Sequence, residues 1–257
     1  MVLAALRRWI RRHPQVRKVV GRLAGRVLSF RDRKLTTSAR WSKEVGHEAT
    51  FWRDWIATHA FGDEQDFAYR LDPDAILNEA LIAERLDRFD DEVAILDVGA
   101  GPLTTLGKQY PGKSLKIRAV DPLAEQYDAI LAEAGLEPPV RTEPGDGERL
   151  LDLFPAESFD IAYAANALDH SYDPMQAVES MLALVRPGGF VALRHHRNEA
   201  NQKSYLGLHQ WNFDSRDGRF VIWNREGSHD MNARVEGRAD VECRIDGDEV
   251  VCVLERR

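Results

Sequence analysis

Cysteine is almost missing from this chain: Cys243 and Cys252 are the two in 257 residues. Two such residues supply no disulfide framework and no zinc spacing, and they read as separate small core residues in a reducing compartment. Long apolar runs are missing as well. No stretch approaches the roughly 20 apolar residues that span a bilayer. Arginines interrupt every N-terminal stretch that could serve as the apolar part of a secretory signal, so a cytoplasmic location is expected. What is present, 44% hydrophobic and 30% charged residues, suits one substantial globular domain with appendages.

The charge is unevenly spread. Residues 1–34 hold eleven Lys or Arg and one acid, Asp32, whereas the remainder holds 24 basic and 41 acidic residues. Leu3, Leu6, Trp9 and Ile10, then Val16, Val19, Val20, Leu23, Val27 and Phe30, fall at helical spacings, with Pro14 placed to open a second helix. A basic amphipathic segment of this kind can lie on an anionic membrane, here the inner face. It can equally dock on the acidic body or on a second copy of the chain in a homo-oligomer. Nucleic acid is not expected as a partner, because the body is acidic and lacks interleaved aromatic and basic residues.

The most informative stretch is Ile95-Leu96-Asp97-Val98-Gly99-Ala100-Gly101-Pro102. Apolar residues lead into an acid and then into two glycines, the pattern of a buried strand that ends in a tight turn. In open α/β sheets, such a turn at a strand's carboxyl end is where ligands bind. A dinucleotide fingerprint requires a third glycine where this chain has Thr104. Ile117–Asp121 reads as a second strand ending in an acid, and a carboxylate there can accept both hydroxyls of a ribose. A third unit ends in Gly145-Asp146-Gly147-Glu148, a fourth runs Phe159 to Asn166, and Arg186-Pro187-Gly188-Gly189 turns into a fifth.

In that order these elements resemble the class I S-adenosylmethionine-dependent methyltransferases, over residues 75–196. The resemblance implies an α/β fold: a Rossmann-like, seven-stranded, mostly parallel sheet with a C-terminal antiparallel hairpin and helices on both faces, plus the N-terminal helical appendage. It implies S-adenosyl-L-methionine as cofactor. Asp97, Gly99, Ala100 and Gly101 would receive the methionine part, Asp121 and Pro122 the ribose, and Asp146 and Gly147 the adenine. Asn166 and Ala167 would lie near the reactive methyl. Many members carry a further glycine where this chain has Leu103.

Other elements follow from pattern. Residues 35–74 form an aromatic-rich helical lid with Trp41, Phe51, Trp52, Trp55 and Phe61, and the resemblance places it over the cofactor site. His47 could face a substrate, but a lone histidine in a helix is more often structural. Ile76, Leu77, Leu81, Ile82, Leu86 and Phe89 predict one helix from Asp74 to Arg88. Pro122 and Pro174 predict helices near 122–134 and 174–185. Asp246-Gly247 between two alternating runs predicts a terminal hairpin. The methyltransferase domain therefore runs over 75–257.

An insertion over about 195–238 is rich in groups that bind and react. Tyr205, His209, Trp211 and Asn212 are its candidate acceptor-binding residues. Aromatic and amide side chains together suit a sugar or another polyhydroxylated acceptor, whose hydroxyls bond and whose flat face stacks. A packing or dimerising insertion is the alternative. Such a hydroxyl needs a general base at neutral pH, and histidine is the usual one. His196 and His170 rank ahead of His195, with His209 also in range. A metal held by Asp169, His170, His195 or His196 is conceivable, but histidine is a poor magnesium ligand and the carboxylates are not visibly paired, so no metal is expected. The leading expectation is O-methylation of a saccharide. The alternatives are an NAD(P)-dependent oxidoreductase, and a catalytically silent cofactor-binding partner recruited through the basic N-terminus.

Overall fold

A computed structural model describes residues 37–257. The basic helices expected over 1–34 lie outside the described residues, as does the very start of the lid. Ten strands follow: β1 (Glu92–Val98), β2 (Ser114–Asp121), β3 (Thr142–Pro144), β4 (Phe159–Ala165), β5 (Val185–His196), β6 (Asn212–Arg216), β7 (Arg219–Trp223), β8 (Ser228–Asp230), β9 (Ala239–Asp246) and β10 (Glu249–Arg256). Seven form one sheet in the order β3-β2-β1-β4-β5-β10-β9. β1 to β5 pair in parallel, and β10 runs antiparallel to both β5 and β9 in a terminal hairpin, which is the expected architecture.

Strand alternation builds the two faces of this sheet. Leu96, Val98, Ala162, Ala164, Val191 and Leu193 face one core. Their neighbours Ile95, Ile161, Tyr163, Phe190 and Ala192 face the other. Both sides are covered, so the central strands carry near-continuous apolar runs. The order in which strands are added reverses at β1/β4, where β2 and β4 flank β1, and the loops after these strands part to leave a crevice.

The long helices lie where proline and capping place them. α3 (Ala124–Ala134) ends on Gly135 in the left-handed conformation, and α4 (Pro174–Leu184) starts with Pro174 behind Asp173. The Asp173 side chain accepts from the Gln176 amide at 3.1 Å, a cap whose loss costs about 1 kcal/mol. The lid comprises α1 (Thr37–Ala57), a short turn over His59–Gly62 and α2 (Glu64–Leu71). Trp55 and Phe67 are core residues packed with Leu103, Leu123 and Tyr127, while Phe51 and Phe61 are exposed. Leu103, the residue in place of a further glycine, thus anchors the lid to α3.

Three expectations need correction. The helix from Asp74 to Arg88 shrinks to Ala80–Ala83 and a single turn at Leu86–Arg88. Residues 75–77 instead run extended against the loop at 107–109, where the Leu77 amide donates to the Gln109 carbonyl at 2.8 Å. Gly107 permits this approach, since a Cβ there would overlap the Ile76–Leu77 backbone. Leu77, Leu81, Ile82 and Leu86 are buried all the same, whereas Ile76 is exposed. The terminal hairpin turns at 247–248, one residue later than expected, because Asp246 pairs with Glu249. Cys243 and Cys252 sit opposite one another in that ladder, with their sulfurs in disulfide contact.

The insertion is largely a small sheet, β6-β7-β8. Phe213, Phe220, Ile222 and Met231 bury themselves against the main core, so most of the segment packs as a core layer. No helix among the described residues is long and apolar enough to cross a membrane.

Candidate active site

The loops at the carboxyl ends of β1 to β5, closed over by α1, enclose a cavity of about 430 Å³. This lies in the range of small-molecule sites, roughly 300–1,000 Å³. Its wall includes Asp97, Gly99, Ala100, Asp121, Pro122, Asp146, Gly147, Asn166 and Ala167. Those are nine of the ten residues assigned to the cofactor from sequence.

One half of the cavity is built from the glycine turn and three acids. Gly99 and Gly101 hold φ of +73° and +65°. The Gly99 and Ala100 amides bond to the Val120 carbonyl, and the Gly101 amide donates to Asp121 Oδ2 at 3.2 Å. The turn's amides are therefore engaged internally, and they lock β1 against the end of β2. Gly101 itself is covered: the Trp52 ring stands 2.7 Å from where its Cβ would be. Its part is to hold Asp121 and seat the lid, a correction to the cofactor contact expected of it.

Asp97 is buried and accepts from the Thr104 hydroxyl at 2.5 Å. Burial pushes its carboxyl up to about 6, against the opposing pull of Thr104 and Arg70. Asp121 accepts at its other oxygen from the Leu123 amide at 2.9 Å, and burial likewise pushes it up to about 6.

These groups fit S-adenosylmethionine. Two nearly buried carboxylates, Asp97 and Asp121, each with lone pairs to spare, face the cavity. Arg70, paired with Asp66, lines the cavity near Asp97 and offers positive charge for a carboxylate. Asp121 would take the ribose hydroxyls, Asp146 with Gly147 the adenine, and Asp97 with Arg70 the charged amino-acid end. A Cβ on Gly99 would overlap that of Ala167, so the methionine end and the Asn166 loop share one wall.

The other half of the cavity carries the histidines. Asn166, at φ +48°, bonds the His196 amide through its Oδ1 at 2.7 Å, and this holds the exposed His196 side chain at the cavity rim. His170 and the buried Asp169 share one turn of 3-10 helix after β4, Leu168–His170. His209 reaches them from the insertion, with its Nδ1 2.7 Å from Asp169 Oδ2 and 3.1 Å from His170 Nε2. Burial pushes the Asp169 carboxyl up, but His170 and His209 outweigh this and hold it below its ordinary value. Burial lowers His209, and the hydrogen bond and charge of Asp169 prevail to raise it. Glu48 and Phe51 of the lid, with Glu199, Lys203 and Leu208, also line the cavity, and Trp52 lines it from its seat on Gly101.

Besides Gly101, four assigned residues stand outside the cavity. His195 points the other way along β5, as strand alternation requires once His196 faces the site. It is buried against Phe213, neither ring nitrogen has a partner, and burial pushes it down to about 4. It is no general base. Trp211 is a core residue, and Asn212 is fully buried, donating to the Tyr205 hydroxyl and the Trp223 carbonyl. Tyr205 is occupied by that bond and by Arg225 stacked 4.0 Å from its ring. Of the insertion's four candidates, only His209 lines the cavity. His47 is exposed on α1 and is not among the lining residues.

Thr104, Arg70 and Lys203 were not legible as site residues. Thr104 stood out only as a missing glycine, although its hydroxyl at seven residues from a buried acid was a usable signal. Arg70 and Lys203 look like ordinary helix-surface charges, and only the fold turns them inward.

Residues 96–193 match the family model described as a methyltransferase domain. None of the curated proteins matches the chain. Among solved structures, an O-methyltransferase family protein from Burkholderia thailandensis is 12% identical with a TM-score of 0.50, covering 86% of this chain and 63% of its own. The CurJ carbon methyltransferase is 18% identical with a TM-score of 0.49 over 69% of this chain, which spans about half (52%) of that one. A S-adenosylmethionine-dependent methyltransferase from Mesorhizobium loti is 15% identical with a TM-score of 0.42, covering 66% and 94%.

Proposed function

We propose, for a chain whose residues 96–193 are a methyltransferase domain with S-adenosylmethionine as cofactor, that the reaction is O-methylation of a small polyhydroxylated acceptor, a saccharide above all. One observation carries this reading: a single cavity joins the Asp97–Asp121–Asp146 half to a rim of histidines, carboxylates, Lys203 and lid aromatics. The polar groups suit hydroxyls, and the exposed Phe51 ring offers a flat apolar face.

When bound, the cofactor supplies an electrophilic methyl on a sulfonium, whose C–S bond electrons leave with sulfur. The chain's own residues do the rest. Asn166 fixes the His196 backbone, and His196 takes the proton from the acceptor hydroxyl as its oxygen bonds to the methyl carbon. His170 is less suited, because its Nε2 is already turned to Asp169 and His209. The lid helix, seated on Gly101 through Trp52, excludes water and holds the reactants in line.

The test is to incubate the protein with cofactor bearing a deuterated methyl and a panel of saccharides, other polyols, amines and carbon nucleophiles. Methyl ethers of the hydroxylated compounds are expected. Transfer to amines or carbon alone contradicts the O-methylation reading.

A further inference from the structure

Three ligand-type atoms converge at the acceptor end of the cavity. Asp169 Oδ2 is 2.7 Å from His209 Nδ1 and 3.5 Å from His170 Nε2, and the two ring nitrogens are 3.1 Å apart. All three residues line the cavity, and together they form a group able to hold a metal ion.

Protons alone satisfy this triangle only in part. A proton on His209 Nδ1 serves the short contact to the carboxylate. If His170 Nε2 is protonated too, two N–H groups oppose one another at 3.1 Å. If it is not, its lone pair shares the one His209 proton with the carboxylate and faces a carboxylate oxygen at 3.5 Å. A cation at the common centre satisfies all three atoms at once. A point ~2.1 Å from each lies about 1 Å to one side of their plane, and ~2.1 Å is the usual length of zinc–imidazole and zinc–carboxylate bonds.

The surroundings hold the triangle in place. The Gln210 amide donates to the Asp169 carbonyl at 3.2 Å, which pins the insertion's loop to the turn after β4. Gln210 Nε2 in turn holds the loop carbonyls of Tyr205 and Gly207. The other ring nitrogen of His170 faces Glu48 at 3.9 Å, an acid behind an imidazole of the kind that orients metal ligands. Asp169 and His170 lie within the segment that matches the methyltransferase-domain family, and His209 joins them from the insertion outside it. The expectation of no metal rests on histidine being a poor magnesium ligand and on unpaired carboxylates; His209, 40 residues beyond the acid, is outside the candidate ligands named from sequence.

We propose that Asp169, His170 and His209 bind one divalent first-row transition cation of the zinc type, with its open positions toward the cavity. Two imidazoles and one carboxylate on a single face favour such an ion over magnesium. Its role, though not its existence, rests on the methyl-transfer reading above. The acceptor hydroxyl binds at an open position, where the ion lowers its pKa. The proton passes to His196, the oxygen–methyl bond forms, and the carbon–sulfur bond breaks with its electrons going to sulfur.

The experiment uses untagged full-length protein stripped with a chelator and titrated with Co²⁺, whose visible absorption reports nitrogen and oxygen ligation. One equivalent is expected to bind and to be displaced by Zn²⁺. Asp169→Asn and His209→Gln should each weaken binding by more than the ~100-fold that loss of an outer partner can cost. His170→Gln serves as a third variant should either misfold. Each sample is also titrated with S-adenosylhomocysteine in a melting assay, which reports folding and the cofactor site. Absence of saturable Co²⁺ binding, or equal affinity in folded variants, overturns the metal site. A retained melting shift in that case leaves the methyl-transfer reading standing. Stoichiometric Co²⁺ binding without a melting shift keeps the site and removes its role.

Discussion

Gly99, at φ +73°, lies directly against Ala167, so the turn that ends β1 and the loop that ends β4 pack face to face with no room for a side chain between them. Gly99→Ala therefore combines a left-handed backbone with a steric overlap. It is expected to destabilise the fold by about 1–3 kcal/mol and to abolish the melting shift with S-adenosylhomocysteine. Urea denaturation and the melting assay check both. An unchanged urea midpoint with intact ligand response would mean that the two loops are not in contact.

Asp121 joins the Gly101 and Leu123 amides and stands where a ribose would be held. Asp121→Ala removes an acceptor from both. Affinity for S-adenosylhomocysteine should fall at least tenfold, in line with the roughly 1.5–3 kcal/mol of a hydrogen bond to a charged group.

The same acid and Asp97 predict a pH dependence. Burial raises both carboxyls to about 6. A raised carboxyl stabilises the folded, ligand-free protein when protonated, so that contribution is full below about pH 4 and is lost as pH rises through about 6. A positively charged ligand favours the ionised form and reverses the trend. Arg70 and Thr104 beside Asp97, and Tyr127 and Glu48 near Asp121, set the local field. The melting shift caused by the cofactor should be larger near about pH 7.5 than near about pH 5.5. An equal or larger shift at the lower pH would contradict it.

The sheet and most of the cofactor half were legible because they rest on local patterns. The glycine turn, the acid closing Ile117–Asp121 and the Asp246-Gly247 hairpin each announce themselves within a few residues. The acceptor half was not legible, because it is assembled across distance. Strand parity decided between His195 and His196, and the sequence could say only that the two must face opposite ways. Trp211 and Asn212 resembled sugar-binding residues but serve the β6–β7 core, since an apolar face within a short strand hides among polar neighbours. The Asp74–Arg88 pattern had helical period, yet contact with the loop at Gly107 prevailed over propensity for residues 75–77.

His195 carries two buried, unpartnered nitrogens against Phe213. An unsatisfied buried polar group costs roughly 1–3 kcal/mol. His195→Leu is expected to leave methyl transfer intact and to hold or raise the melting temperature. Lost activity with unchanged stability would return His195 to the site.

His196→Ala is expected to lower kcat by roughly 100- to 10,000-fold while the affinity for S-adenosylhomocysteine stays unchanged. Single-turnover kinetics with a methylated saccharide as product separates this from a binding defect. Full turnover in the variant would transfer the base role elsewhere.

Calorimetric titration of the full-length protein with S-adenosylhomocysteine is the most direct measurement, with NADH titrated in parallel. One site per chain is expected for the first ligand and none for the second, with the heat abolished in Asp121→Ala. No heat with S-adenosylhomocysteine, or saturable heat with NADH alone, would contradict the reading of this cavity.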